Sequence, residues 1–224
     1  EEGRKYNYYT YDNQTDNYTQ THAHLQYTFE ASDKLNLNAA LHYTRGAGYY
    51  EEFRPEDKMI RYGMDTVFHG QDTISRSDLI RRRWLDNHFY GVTYSANYKA
   101  NNKLSFIFGG AYNQYRGKHY GEVIWARYAS NSNLGDRYYY NEADKNDFNF
   151  FVKADYRLDN WLFNADLQYR NIYYLGEGDD DKVKDLYFKD KLNFFNPKVG
   201  ATYFINSNSN LYASYAFASK EPKR

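Results

Sequence analysis

The stretch from Phe148 to Tyr169 reads FNFFVKADYRLDNWLFNADLQY and has a regular alternating pattern. Every second residue on each side of the Asp-Asn pair at 159–160 is apolar, and most positions between them are polar. A side-chain period of two is typical of a β-strand with one buried face. Asp and Asn tolerate the positive φ angles of a two-residue turn, and setting Leu158 opposite Trp161 aligns apolar residues across the pair. The stretch therefore predicts an antiparallel hairpin.

The same alternation recurs on both sides of this hairpin. Further strands are predicted in pairs, at about 20–31 with 35–43, 90–98 with 104–112, and 199–205 with 211–217. Pairing Ala31 with Leu35 aligns the apolar residues of the first pair as well. The connections alternate between short turns (32–34, 100–103, 159–160 and 206–210) and long segments (about 45–84, 114–146 and 171–191). Outer-membrane β-barrels alternate short periplasmic turns with long extracellular loops in this way.

The composition is compatible with membrane-spanning strands and excludes several other classes. Aromatic residues make up 21% of the chain, with 28 tyrosines, and Tyr suits sheet surfaces and membrane–water interfaces. The mean hydropathy of −0.98 is that of a soluble protein, but a barrel strand exposes only every second residue to lipid. The net charge of zero gives no reason to expect a nucleic-acid partner, and the absence of Cys excludes disulfides and thiolate metal sites.

We therefore predict an all-β fold, an antiparallel up-and-down transmembrane β-barrel segment of about eight strands in four hairpins. One alternative is a soluble β-sandwich that binds carbohydrate through aromatic residues, although sandwich strands are usually shorter, about 5–6 residues. Another is a small complete outer-membrane barrel that serves as an adhesin or structural protein. Because the chain begins and ends in loop-type sequence, we expect residues 1–224 to be part of a larger barrel, with no plug domain.

Two stretches resemble a known family. The first contains NPKVGATY at 196–203, LYASY at 211–215 and KEPKR at 220–224, and the second is RRRWLDNHFYG at 81–91. Both resemble barrel segments of TonB-dependent outer-membrane receptors, and the second is similar to members from Bacteroidetes-type bacteria. The resemblance implies a barrel of about 22 strands whose lumen is closed by a plug. These motifs do not indicate a substrate.

The resemblance also implies a function and partners. The whole protein would take up a scarce solute such as a ferric siderophore, haem, cobalamin or glycan across the bacterial outer membrane, driven by the TonB–ExbB–ExbD complex acting through the plug. This segment would supply barrel wall and substrate-facing loops, in contact with outer-membrane lipid and lipopolysaccharide. We expect a small-molecule or metal-chelate substrate, no nucleic acid and no cofactor. The sequence contains no catalytic constellation, so we expect no enzymatic activity.

Arginines and aromatic residues in the long segments are candidate substrate contacts. The consecutive Arg81, Arg82 and Arg83 would bind an anionic siderophore or a phosphate, although lipopolysaccharide phosphates or plain solvation are equally compatible with them. Rings that would stack on a chelate or sugar, or pack between loops, are Trp125, Tyr138, Tyr139, Tyr140, Tyr49 and Tyr50. The acidic run at 177–181 lacks the spacing of an EF-hand calcium loop, which favours a solvated loop tip.

Three histidines form a candidate metal group. The register of the first hairpin sets His24 opposite His42, with His22 two residues along the same face. Cross-strand Cβ atoms lie about 4.5–5.5 Å apart, which is close enough for two imidazoles to share a metal ion. The alternative is a hydrated polar wall, and no Cys or Asp completes the ligand set.

Overall fold

One large antiparallel sheet makes up most of the structure, a computed structural model that describes residues 9–222. The strands are β1 (Asp16–Ser32), β2 (Leu35–Lys58), β3 (Val67–His69), β4 (Asp72–Ile74), β5 (Arg76–Lys99), β6 (Leu104–Ala126), β7 (Arg137–Leu158), β8 (Trp161–Gly178), β9 (Leu186–Asn206) and β10 (Ser209–Ala216). A short 3₁₀ helix (Met59–Tyr62) follows β2. No helix in this part of the chain is long and apolar enough to cross a membrane.

The strand order follows the chain order. The large sheet runs β1-β2-β5-β6-β7-β8-β9-β10, and β3 pairs only with β4. This meander confirms the eight predicted strands and four hairpins, whereas β3 and β4 were not predicted. Among the described residues β1 and β10 do not pair with each other, so the sheet has two open edges.

One face of the sheet is apolar and uncovered. Leu25 is 66% exposed, Val199 52% and Phe163 40%, and these residues alternate with polar ones on the opposite face. A β-sandwich would bury such a face against a second sheet. No second sheet covers it within residues 9–222, so the sandwich alternative is wrong. We call the two sides the apolar face and the polar face.

The hairpin registers follow the prediction with one exception. Leu158 pairs with Trp161, and Asp159 adopts the positive φ of 50° that the turn requires. In the first hairpin, Leu35 pairs with Ser32 and not with the predicted Ala31. A β-bulge between residues 30 and 32 explains the difference, because the extra residue shifts the pairing only beside the turn.

A row of tyrosines marks one boundary of the membrane-spanning part. Their hydroxyls bond polar side chains of neighbouring strands: Tyr43 with His88, Tyr90 with Gln114 and Tyr169 with Asn193, each at 2.8 Å, and Tyr112 with Asn146 at 3.4 Å. Aromatic girdles flank the apolar band of a transmembrane barrel. From the short turns to this row most strands have about 9–11 residues, the length that spans a bilayer, whereas β10 has eight residues in all.

The strands continue far beyond the tyrosine row, which corrects the predicted loop bounds. The connections are the first loop (59–75), the second loop (127–136) and the third loop (179–185), each shorter than predicted. Cross-strand ion pairs support the extensions, for example Arg116 with Asp144 at 3.3 Å. Backbone pairing therefore persists where both faces are polar and the apolar alternation has ended.

The first loop folds back over the sheet and forms a small core. Met59 and Met64 are 1% exposed and pack with Tyr62, Leu79 and Tyr139. This core lies at the end of the sheet remote from the short turns and holds the first loop against β5 and β7.

Candidate functional site at the ends of the long strands

Arg81 is buried among four separate segments. It binds Glu52 of β2, and its Nη1 lies 3.3 Å from the hydroxyl of Tyr62 and 3.4 Å from that of Tyr138. The same nitrogen is 3.5 Å from a carboxylate oxygen of Asp181 in the third loop. Arg81 is 7% exposed, so its charge is satisfied by these groups and not by bulk water. It joins the first loop, the third loop, β2 and β7.

The three consecutive arginines lie on two faces of β5. Arg81 and Arg83 contact residues of the polar face, whereas Arg82 binds Glu51 at 2.7 Å and lies 4.2 Å from the centre of the Tyr49 ring. Alternate residues of a strand point to opposite sides of a sheet, so one ligand on the polar face meets only two of the three. Their contact with substrate stays a prediction.

Arg83 lies in one row with Gly121 and Tyr139. Arg83 pairs with Gly121, which pairs with Tyr139 on the next strand, and Arg83 Nε donates to the Tyr139 hydroxyl at 3.4 Å. A Cβ on Gly121 would lie 2.4 Å from the rings of both Tyr138 and Tyr139. The glycine therefore leaves the space in which these rings reach the arginines. Within residues 9–222, no carboxylate forms an ion pair with Arg83.

The third loop reaches across the polar face towards β5. Asp179 N donates to the Tyr140 carbonyl at 2.7 Å, and Lys184 Nζ donates to the Tyr138 carbonyl at 3.2 Å. Asp181 is only 10% exposed at its side chain, and its Oδ1 is buried with no hydrogen-bond partner. The prediction of a solvated tip for the acidic run is therefore wrong at this residue. The sequence did not reveal the contact, because Asp181 and Arg81 are remote in the chain.

The remaining predicted aromatic contacts are dispersed. Tyr138 and Tyr139 lie beside the arginines, with ring centres 5.0 Å apart. Trp125 pairs with Ile80 at the end of β6 and is 46% exposed, so the register places it apart from the Arg83 row. Tyr49 packs on Trp84 at 4.6 Å. Sequence reasoning missed Glu52, Tyr62 and Gly121, and it did not link Asp181 of the acidic run to the arginines; an isolated Gly in a strand was the one available signal.

The predicted histidine pairing is confirmed in register. His24 lies opposite His42, and the rings of His22 and His24 are 6.2 Å apart. His42 Nε2 is hydrogen bonded to Asn113 at 2.8 Å, and His22 Nδ1 to Thr44 at 3.0 Å. No group of three His, Cys, Asp or Glu in the described part of the chain is placed to hold a metal ion. A metal role for these histidines stays a prediction.

Residues 2–222 match the family described as "TonB dependent receptor-like, beta-barrel". The chain belongs to the TonB-dependent receptor β-barrel family. The expected bacterial group, Bacteroidetes-type, stays a prediction. Residues 223–224, the end of the KEPKR motif, lie outside the described residues.

Several solved structures show a similar fold. The ferric-catecholate import receptor Fiu of E. coli in its open form is 12% identical with a TM-score of 0.58, over 92% of this chain and 36% of that chain. The unliganded ferric citrate transporter FecA is 12% identical with a TM-score of 0.54, over 88% and 27%. BauA, the ferric preacinetobactin receptor from Acinetobacter baumannii, is 10% identical with a TM-score of 0.51, over 88% and 30%. The chain therefore spans about a third of each structure. No curated protein matches it in sequence.

Membership of the TonB-dependent receptor family orients the sheet. The protein is located in the bacterial outer membrane, the apolar face meets lipid, and the polar face lines the lumen. The short turns are periplasmic, and the three loops are extracellular. Arg81 and Arg83 therefore lie on the lumen side, at the extracellular end. The receptors of this family are transporters and not enzymes, and they depend on TonB.

Asp57 gives the first loop a dependence on pH. Burial alone would raise the pKa of its carboxyl, but hydrogen bonds from Tyr62, the Lys58 amide, Arg61 and Arg54 outweigh burial and lower the pKa from 3.8 to about 2. A depressed carboxyl pKa stabilises the folded state above the unfolded pKa of about 4, and this contribution is lost as the pH falls towards 2. The shift corresponds to about 2 kcal/mol.

We expect the first loop to open between about pH 4 and pH 2, within the range set by the two pKa values. Pepsin cleavage within 59–75, normalised to the rate on an unfolded peptide, should accelerate across this range. The Asp57→Asn variant should already be cleaved faster at pH 5 and show little further change. A wild-type rate that stays flat from pH 5 to pH 2 would contradict the assignment.

Proposed function

We propose that residues 1–224 form part of the barrel of a receptor for active uptake of a scarce solute, such as a ferric siderophore, haem, cobalamin or glycan. What supports this is the convergence of Arg81, Arg83 and Tyr139 on the lumen side, beneath two loops that fold over the sheet. Cations and rings that converge in a partly desolvated site are typical of small-molecule binding. The solute would first contact this site on entering from outside.

The partners follow from the same proposal. Energy would come from the TonB–ExbB–ExbD complex through a plug domain, for which these residues provide only surrounding wall. The apolar face would contact outer-membrane lipid, and the extracellular rim would contact lipopolysaccharide. The substrate would be a small molecule or metal chelate. We assign no catalytic step and no nucleic-acid partner to this chain.

Uptake by the full-length protein tests the proposal. Radiolabelled ferric siderophores, haem, cobalamin and oligosaccharides are offered to cells with and without a protonophore. We expect one class to enter only when the membrane is energised, and we expect Arg83→Gln to raise the apparent KM of uptake about tenfold, the loss of one charge-assisted contact. Arg116→Gln is the matched control, because Arg116 is 61% exposed on the outer face and pairs with Asp144 outside the Arg83 row. Entry of the solute that is independent of energy would refute active uptake.

A further inference from the structure

The third loop presents a carboxylate to the lumen arginines, and this contact is incomplete. Asp181 Oδ2 is 3.5 Å from Arg81 Nη1, beyond the usual range for a charge-assisted hydrogen bond. Its other oxygen, Oδ1, is buried and has no partner. A buried carboxylate oxygen without a donor costs free energy, so the loop is docked in an arrangement that a better-fitting group can replace.

Arg83 has guanidinium N–H donors that the Asp181 carboxylate does not contact. It lies two residues from Arg81 on the same face, a separation of about 6.6 Å along a strand. Its recorded side-chain partner is the Tyr139 hydroxyl, at 3.4 Å, and it forms no ion pair with any carboxylate in residues 9–222. Its side chain is exposed to the lumen. A polycarboxylate can contact both guanidiniums at once, which the single short side chain of Asp181 does not achieve.

The charge balance favours an anion once the loop has moved. Arg81 and Arg83 carry two positive charges, and Glu52 and Asp181 carry two negative ones. Departure of Asp181 leaves one net positive charge beside the rings of Tyr62, Tyr138 and Tyr139. Burial raises the pKa of the Tyr62 and Tyr138 hydroxyls well above their usual range, so they remain neutral. Low-polarity surroundings strengthen the attraction between the arginines and an incoming anion.

We propose that the position occupied by the Asp181 carboxylate is the binding position for a carboxylate group of the solute, and that solute and third loop exclude each other at Arg81 and Arg83. The proposal rests on the proposed uptake function and names its substrate class, a solute with several carboxylates. Without solute the third loop occupies the binding position, and solute binding releases it; we call this arrangement the latch. The loop's other anchors, at Asp179 and Lys184, are hydrogen bonds to backbone carbonyls of β7 on either side of the tip at 180–183.

The mobility of a spin label on the third loop tests this proposal. Lys182 is exposed and the chain has no cysteine, so Lys182→Cys in the full-length receptor accepts a single spin label in this region. The receptor is purified in detergent and titrated with tricarballylate, with inorganic phosphate, and with chloride at the same ionic strength. We expect tricarballylate alone to convert the label spectrum from immobile to mobile. Heat modifiability on gels verifies that each variant is folded.

Two variants separate the latch from a structural effect. In Asp181→Asn the label should be mobile without ligand, and tricarballylate should bind about tenfold more tightly, because no internal carboxylate competes. In Arg83→Gln the response to tricarballylate should be lost, whereas Arg116→Gln, a 61% exposed cation on the outer face, should respond like the wild type.

Each outcome bears on the proposal. A response to phosphate equal to that of tricarballylate overturns the carboxylate assignment, and an immobile label in every condition overturns the latch. The assay needs no energy source, so it is independent of transport. If the receptor transports its solute but the label stays immobile, the third-loop proposal is wrong and the uptake proposal stands. If the label becomes mobile but the receptor fails the uptake test, only the proposed uptake function is wrong.

Discussion

Replacing Ala165 by Arg should destabilise the folded barrel by about 2–4 kcal/mol, whereas Asn164→Arg should change its stability by less than 1 kcal/mol. Ala165 is midway between Trp161 at the periplasmic turn and Tyr169 in the tyrosine row, with Ala154 and Val199 beside it on neighbouring strands. A charge there would lie at the bilayer midplane. The adjacent Asn164 lies on the polar face opposite Asp155, where an added cation is hydrated and has an anionic neighbour.

The two neighbours form a matched pair, since both variants introduce the same side chain one residue apart. The measurement is denaturant unfolding of the full-length receptor in phospholipid vesicles, followed by Trp fluorescence. Equal losses in the two variants would show that the two faces of β8 are not lipid and lumen. A larger loss for Asn164→Arg would reverse the assignment of the faces.

The second large effect is expected at Arg81. Arg81→Leu leaves Glu52 and Asp181 buried without their cation, and loss of one partner of a buried ion pair costs about 3–5 kcal/mol. The loss is local, because the membrane-spanning rows do not contact this cluster. Opening of the first and third loops should become about a hundredfold to a few thousandfold more frequent.

Trypsin cleavage at Lys182 or Lys184 reports this opening. The rate should rise with the opening equilibrium, while heat modifiability of the barrel is retained. Arg116→Gln is the control, since its pair with Asp144 is largely exposed and such pairs contribute about 0–1 kcal/mol. A cleavage rate in Arg81→Leu that equals the control rate would show that Arg81 does not hold the loops.

The membrane-spanning half of the fold is predictable from sequence, and the extracellular half is not. Between the short turns and the tyrosine row, lipid on one side and water on the other enforce the alternation seen from Phe148 to Tyr169. Above that row both sides are wet, so the alternation disappears while the backbone ladder continues, as in residues 45–58 of β2. The loop bounds were therefore predicted too long.

The candidate site was only partly predictable for a related reason. A run of arginines in the sequence predicts positive charge, but the alternation of β5 assigns Arg82 to one face and Arg81 and Arg83 to the other. The partners Glu52 and Asp181 come from remote segments, and their approach depends on how the strands and the third loop pack. Single-sequence periodicity carries no information on such contacts. By contrast, the opposition of His24 and His42 needed only the register of one hairpin.

The apolar face of this sheet is the lipid-facing wall of a barrel. Quenching of single fluorophore-labelled cysteines tests this assignment. The cysteines are placed from residue 163 to residue 169 of β8 in the full-length protein in bilayers, and lipid-borne and aqueous quenchers are compared. We expect lipid-borne quenchers to act at odd positions such as Phe163 and Leu167, and aqueous quenchers at even positions such as Asn164 and Gln168. If neither the odd nor the even positions are quenched from the lipid, the apolar face is not in the membrane, and the proposed uptake function is contradicted as well.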